Sequence, residues 1–405
     1  MTLDLVQTVA FAGTALFAGY GLKRLLPPLA RYNIPAPVVA GVPVAALLAV
    51  LRTPEWQPLT FDTALQAPLQ NVFFASVGFG ASVRLLRRGG PLVVVMLVIA
   101  SMAAAMQNVL GATVAWLVGQ HPLMGVLAGS VTLTGGPATG LAFAPLFEQA
   151  GGSGAATLAV SAAMIGIVAG GMLGGPIGTW LLHRRARVRG FAPPTGTLEH
   201  LAERQFDDPA SSTPPGEDIE AYALLKHVVA MLAAVGLGAW VSAGFAALGL
   251  TLPAYIGAMV VAAIMRNADD ALGIVGLSQR AIDDLGTVAL SLFLVMALMT
   301  LRLWELSGVV GPLLVILAAQ VAFVVALCLF VVPRWMGRDY DAVVMASGFC
   351  GFMLGTTANA VANMGALVER YGPAPKAYLV VPLVGAFGID FINALLITVA
   401  LNIWR

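Results

Sequence analysis

Charge is scarce in this chain. Asp, Glu, Lys and Arg make up 10% of its 405 residues, against ~25% in soluble domains. That is too few to cover a water-exposed surface. The net charge of +1 gives no basic face for nucleic acid. Cysteine is almost missing. Cys328 and Cys350 both lie in apolar segments, with no His or second Cys at metal-ligand spacing, and read as free buried thiols rather than a disulfide. The Gly-x-x-x-x-Gly-Lys-Ser/Thr phosphate loop is absent, which argues against ATP-driven work by this chain alone. No His-Glu-x-x-His or cysteine cluster is present either. The four histidines (His121, His183, His200, His227) fall at the edges of apolar runs or in a polar stretch and read as solvated. Nothing in the sequence indicates an enzyme or a cofactor.

Apolar residues are what the chain has in abundance: 59%, with a mean hydropathy of +0.89. Such a surface suits lipid. The N-terminal Met-Thr-Leu-Asp-Leu has no basic region and no small-x-small cleavage site, so the first apolar run is expected to be a retained span. Runs near the ~20 residues needed to cross a bilayer occupy 6–26, 35–51, 66–83, 91–118, 123–147 and 155–182. After a polar stretch come 221–248, 252–265, 284–301, 308–333, 340–368 and 377–403.

The two halves resemble each other. Asn33-Ile-Pro-Ala matches Thr251-Leu-Pro-Ala, and Arg84 matches Arg302, both at an offset of 218. Gly90-Pro91 matches Gly311-Pro312, and Leu146-x-Glu148 matches Leu367-x-Glu369, both at 221. Matches in order at nearly constant offset argue for a duplicated unit, and paired halves are typical of secondary transporters. The expected domains are therefore a first repeat over 1–182, a cytoplasmic linker over 183–220 with a short helix at 197–206, and a second repeat over 221–405.

The fifth run of each half is rich in helix breakers. One carries Thr134-Gly135-Gly136-Pro137, the other Gly355-Thr356-Thr357. Broken backbone survives in a membrane only where protein buries it or it lines a cavity. Re-entrant hairpins near 123–147 and 340–368 fit that demand, as do small-residue helices packed tightly on their neighbours. Charge separates the two. With both hairpins re-entrant, ten spans place 18 Lys and Arg in cytoplasmic loops and three (Arg52, Arg302, Arg405) outside; with twelve spans the split is 9 to 12. The positive-inside rule selects ten spans with both termini periplasmic. Five spans per half then require inverted repeats.

Polar chemistry inside the apolar runs supplies the candidate site. A half-helix start offers free N–H groups and a positive dipole end to a carboxylate. Broken helix ends offer carbonyls and side-chain oxygens to a hard monovalent cation. The candidate substrate residues are Ser130, Thr134, Gly135, Gly136, Thr139, Gly355, Thr356, Thr357, Asn359 and Asp390. Thr132, Asn363, Asp390 and Asn393 are the candidate sodium ligands. The alternative for any single hydroxyl is a bond back to its own helix. Asp390 is the one carboxylate deep in an apolar run, and such a charge is expensive enough to suggest a task. Asn393 lies three residues on. The rivals for Asp390 are a protonated hydrogen-bond donor, a proton-coupling site, or a partner of Arg302 or Arg84. Gln107, Asn108 and Gln320 read as hydrogen-bond glue between helices.

Together with Asn33-Ile-Pro-Ala-Pro37, Leu127-Ala-Gly-Ser130 and Arg302-Leu-Trp-Glu-Leu306, the stretch from Tyr340-Asp341 through Glu369-Arg-Tyr-Gly-Pro373 and Val381-Pro382 to Asp390-x-x-Asn393-Ala394 resembles the bacterial sodium/glutamate symporter family over nearly the whole chain. The resemblance implies an all-α, elevator-type transporter of the inner membrane, a homodimer, and sodium-driven uptake of glutamate by alternating access. Two tips depart from the family. Its usual Gly-Gly-His-Gly-Thr is Gly135-Gly136-Pro137-Ala138-Thr139 here, and its usual Gly-Ala-Thr-Pro-Thr-Ala is Gly355-Thr356-Thr357-Ala358-Asn359-Ala360. A sodium- or proton-coupled carrier of another amino acid or small carboxylate is the near alternative, and a channel the distant one.

Overall fold

The computed structural model describes residues 2–32, 34–52, 59–152, 154–189, 219–248, 252–306 and 308–404. The short helix expected at 197–206, His200 and most of the linker lie outside the described residues. The chain is almost wholly helical. In order come α1 (Leu5–Leu25), α2 (Pro27–Arg31), α3 (Ala36–Leu51), α4 (Gln66–Phe79), α5 (Val83–Leu117), α6 (Pro122–Val126), α7 (Gly136–Gln149) and α8 (Ala155–Arg189). The second half gives α9 (Ile219–Ala247), α10 (Tyr255–Leu272), α11 (Gln279–Met299), α12 (Val310–Phe330), α13 (Val332–Trp335), α14 (Tyr340–Leu354), α15 (Thr357–Tyr371), α16 (Pro375–Leu383) and α17 (Ile389–Ile403). Short π-helical segments at Leu127–Val131 and Val384–Gly388 precede α7 and α17. A two-residue parallel ladder joins Thr2–Leu3 to Thr60–Phe61.

Why these helices suit lipid is plain on α5. Val94, Val98, Met102, Met106 and Val109 are exposed along one face, while Val93, Met96, Ala100, Ala103 and Ala104 are buried on the other. A helix apolar all round belongs in a membrane or a large core. Among the described residues, six helices are long and apolar enough to cross a bilayer: Leu5–Leu25, Gly90–Leu117, Ala155–Arg184, Leu224–Ala247, Gln279–Met299 and Val310–Trp335. The chain is thus a multi-pass membrane protein. The other expected spans are shorter or interrupted. Ala36–Leu51 has 16 residues, and the run 377–403 is broken at Val384–Gly388. Within α5 the axis kinks at Gly90, whose φ of 64° only glycine adopts freely, followed by Pro91.

The helices sort into two groups. One packs α1 on α3, α3 on α11, α11 on α4, α4 on α10 and α10 on α9; the other assembles α5–α8, α12 and α14–α17. Lipid removes most of the hydrophobic drive between helices, so close contact of small residues takes its place. A Cβ on Gly111 or Gly125 would collide with the other's carbonyl, so α5 and α6 approach backbone to backbone. Within the first group Phe74 stacks on Tyr255, and across the two groups the Tyr255 ring meets Phe143 edge-on at 6.0 Å. Such aromatic pairs contribute about 0.5–1.5 kcal/mol beyond their area.

The thiols of Cys328 and Cys350 are free and buried, as expected. One histidine corrects the sequence reading. His227 is buried, and its Nε2 accepts the Ser278 N–H at 2.8 Å, so it holds the start of α11 rather than facing water. Near that loop Asp269 accepts the N–H groups of Val275, Gly276 and Leu277 at 2.7–3.1 Å. Burial pushes its carboxyl up, but those three bonds and Arg266 outweigh it and leave it below the ordinary value.

Candidate substrate and cation site

The first hairpin is a broken helix pair. Gly129 leaves helical geometry at φ −101°, ψ −129°, and the chain turns at Thr134-Gly135-Gly136 before α7 starts. Gly136 has φ 71°, a conformation that costs an L side chain about 1–2 kcal/mol. The second hairpin breaks at Gly355, and the Thr356 side chain caps α15 by accepting the Asn359 N–H at 3.4 Å. The two tips meet. A Cβ placed on Gly136 would lie 3.9 Å from the Gly355 carbonyl oxygen, and Thr134 Oγ1 is 3.8 Å from Met353 Sδ. Two helix N-termini, those of α7 and α15, therefore start beside each other inside the second group.

Gln107 ties the tips together. Thr134 Oγ1 donates to its Oε1 at 2.7 Å, and its Nε2 donates to the Met353 carbonyl at 3.2 Å. Gln320 Nε2 donates to the Gln107 carbonyl at 2.7 Å. One residue on, Asn108 Oδ1 accepts the Ser130 hydroxyl at 2.7 Å. Asn393 Nδ2 donates to the Ser130 carbonyl at 2.9 Å. Gln107, Asn108 and Gln320 are thus the hydrogen-bond glue between helices that the sequence suggests, and the structure adds that Gln107 and Asn108 bond residues of the first hairpin while Gln320 braces Gln107. Their signal was an amide pair and a lone amide in otherwise apolar helices.

The remaining expected residues fall as follows. Thr357 Oγ1 donates to the Gly385 carbonyl at 2.7 Å, linking the second tip to the π segment before α17. Asn359 Nδ2 donates to the Ile167 carbonyl at 2.7 Å and Asn363 Nδ2 to the Gly170 carbonyl at 2.9 Å, seating α15 on α8. Thr132 Oγ1 bonds back to the Leu127 carbonyl at 2.8 Å, the local alternative for a hydroxyl. Thr139 is buried one turn into α7, its side chain facing Gly135. Three buried oxygens here accept no hydrogen bond: Gln320 Oε1, Asn359 Oδ1 and Asn393 Oδ1. Buried polar atoms are normally paired, so each is an open acceptor beside a hairpin.

Asp390 sits in the first turn of α17, partly buried, while Asn393 is fully buried. No ion pair reaches Asp390 among the described residues. Arg302 instead meets Glu305 at 3.4 Å, and Arg84 is exposed. The buried Tyr255 hydroxyl is itself without a hydrogen bond.

Comparison with known proteins bears on all of this geometry. Residues 1–373 match the sodium/glutamate symporter family, a stretch holding both hairpins. The chain is 40% identical over 413 aligned positions to a protein of Haemophilus influenzae named sodium/glutamate symporter, covering 98% of this chain and 97% of that protein. It is 38% identical over 396 positions to a protein of the same name from Escherichia coli, covering 98% and 96%. Coverage of that extent includes α16 and α17, beyond the matched family region, and this chain belongs to the sodium/glutamate symporter family.

Proposed function

We propose that this protein is a sodium-coupled symporter that takes up glutamate by alternating access. The observation that carries the proposal is the meeting of the two hairpin tips. The N-termini of α7 and α15 converge there, which suits a carboxylate. The open oxygens of Gln320, Asn359 and Asn393 suit a hard cation. Sodium is bound by neutral oxygens as readily as by charge, and a symporter needs both ligands in one place. In this reading the tip residues Thr134, Gly135, Gly136, Gly355, Thr356 and Thr357 hold substrate, with Ser130 and Thr139 behind them. Asn393, Asn363 and Thr132 serve the cation region. Asp390 adds negative charge for sodium or the substrate ammonium.

The inverted-repeat reading has geometric support. Gly19 of α1 closely approaches Ala36 and Ala40 of α3, and Gly238 of α9 approaches Gly257 and Ala258 of α10, an offset of 218–221. Gly41 against Leu298 is repeated, with the halves exchanged, by Met259 against Gly78. The ten-span orientation, with both termini periplasmic and the linker cytoplasmic, is supported by the way residues assigned to one side meet each other. Arg52 covers the Trp304 ring at 4.2 Å and Thr157 bonds the Arg302 carbonyl, all assigned outside. Ser82 bonds Asp270 and Lys376 pairs with Asp339, all assigned inside. The two helix groups suit an elevator, with the hairpin group moving against the other in a homodimer of the bacterial inner membrane.

Proteoliposomes test the function. Labelled glutamate should accumulate above its outside concentration under an inward sodium gradient, and not under potassium. Equilibration without accumulation would assign a channel. Accumulation driven by a proton gradient alone, or of other amino acids in place of glutamate, would assign the neighbouring carriers.

A further inference from the structure

A second feature lies away from the hairpin tips. At the end of α8 a groove of about 650 Å³ runs between α8 and α15. Its floor is Gly175, Pro176 and Leu367, and Trp180 stands at its side, 46% exposed. At one end stand His183 and Arg370. Arg184 follows, its guanidinium 5.0 Å above the Trp180 ring, while Arg370 lies 5.3 Å over Tyr371. Both arginines are free of ion pairs among the described residues. The sequence continues Arg185-Ala-Arg187-Val-Arg189. An apolar trough closed at one end by cations, with a tryptophan at the boundary, has the layout of a lipid at an interface.

We infer that this groove binds an anionic phospholipid of the cytoplasmic leaflet, its phosphate on Arg184 and Arg370 and one acyl chain along Gly175 and Pro176. The inference rests on the membrane orientation proposed above. Charge complementarity selects the headgroup, because a zwitterionic lipid brings no net charge to the arginines. The position gives the lipid a consequence. The groove is walled by α15, whose Asn359 and Asn363 bond the Ile167 and Gly170 carbonyls of α8. A lipid wedged between these two helices bears on the seating of the second hairpin.

The test is native mass spectrometry of the full chain in mixed micelles holding equal phosphatidylglycerol and phosphatidylcholine, without sodium or glutamate, so that its outcome is independent of the transport reading. Wild type should retain phosphatidylglycerol preferentially. Arg184→Gln and Arg370→Gln should each lower that preference about fivefold. Gly175→Leu should abolish retention while keeping both arginines, since nothing lies within 4 Å of a Cβ there. Arg334→Gln, a basic residue outside the groove, should leave retention unchanged. Four results would overturn the inference: no preference in the wild type, equal loss in Arg334→Gln, unchanged retention in Gly175→Leu, or displacement by inorganic phosphate. Monodisperse elution of each variant checks that it has folded.

Discussion

Gln107 is the residue on which the joining of the two tips depends most, and a double-mutant cycle with Thr134 measures it. Thr134→Val removes the 2.7 Å bond and leaves Gln107 Oε1 without its donor. An orphaned buried polar group costs about 1–3 kcal/mol. Gln107→Leu removes the same bond and the 3.2 Å bond to Met353, and so leaves the Met353 carbonyl unpaired and the Thr134 hydroxyl with only the weak Met353 sulfur acceptor at 3.8 Å. Its cost should exceed that of Thr134→Val. In the double variant neither member of the first pair is orphaned by the other. The combined loss should then fall short of the sum by about 0.6 kcal/mol, the mean measured for interhelical bonds in membranes, and by at most about 1.7 kcal/mol. In an unfolding equilibrium constant this is about 3–18-fold. The assay is the denaturant stability of the purified protein in mixed micelles. Strictly additive losses would refute the bridge. Gln320 does not confound the cycle, because it bonds the Gln107 carbonyl rather than its side chain.

Other expectations are as specific. Asp390→Asn keeps shape and hydrogen bonding but removes charge, and should raise the sodium concentration for half-maximal uptake at least tenfold, ~1.4 kcal/mol; unchanged sodium dependence would leave Asp390 a structural donor. Thiol labelling of intact spheroplasts should reach Thr2→Cys and miss His200→Cys, and labelling at position 200 would sink the ten-span orientation. Asp269→Ala should lower thermal stability at neutral pH by about 1–2 kcal/mol through three unpaired N–H groups. Its carboxyl is held below the ordinary value, so the contribution is complete above about pH 4 and shrinks as pH falls through the lowered value. A gap between wild type and variant that widens in acid would contradict this.

Much of the fold was legible because lipid reduces the problem to apolar length. Hairpin breaks were legible as well, since Gly135-Gly136 and Gly355-Thr356 violate helix propensity where no loop is tolerated. Contacts across the fold were not. Gln107 meets Thr134 and Met353 through the rotation of α5 against both hairpins, and a residue pair 246 positions apart leaves no local pattern. The interruption at Val384–Gly388 was hidden for another reason. Its glycines, Gly385 and Gly388, sit in a run apolar enough to read as one span. His227 was misread because its position near a membrane edge says nothing of Ser278, 51 residues on.

The central claim is that sodium and glutamate share one site at the hairpin tips, and sodium-linked glutamate binding tests it most directly. Glutamate affinity of the purified protein should rise steeply with sodium at constant ionic strength, and potassium should not substitute. By linkage, glutamate must strengthen sodium binding by the same factor. A glutamate affinity independent of sodium, or equally strong in potassium, would contradict the account.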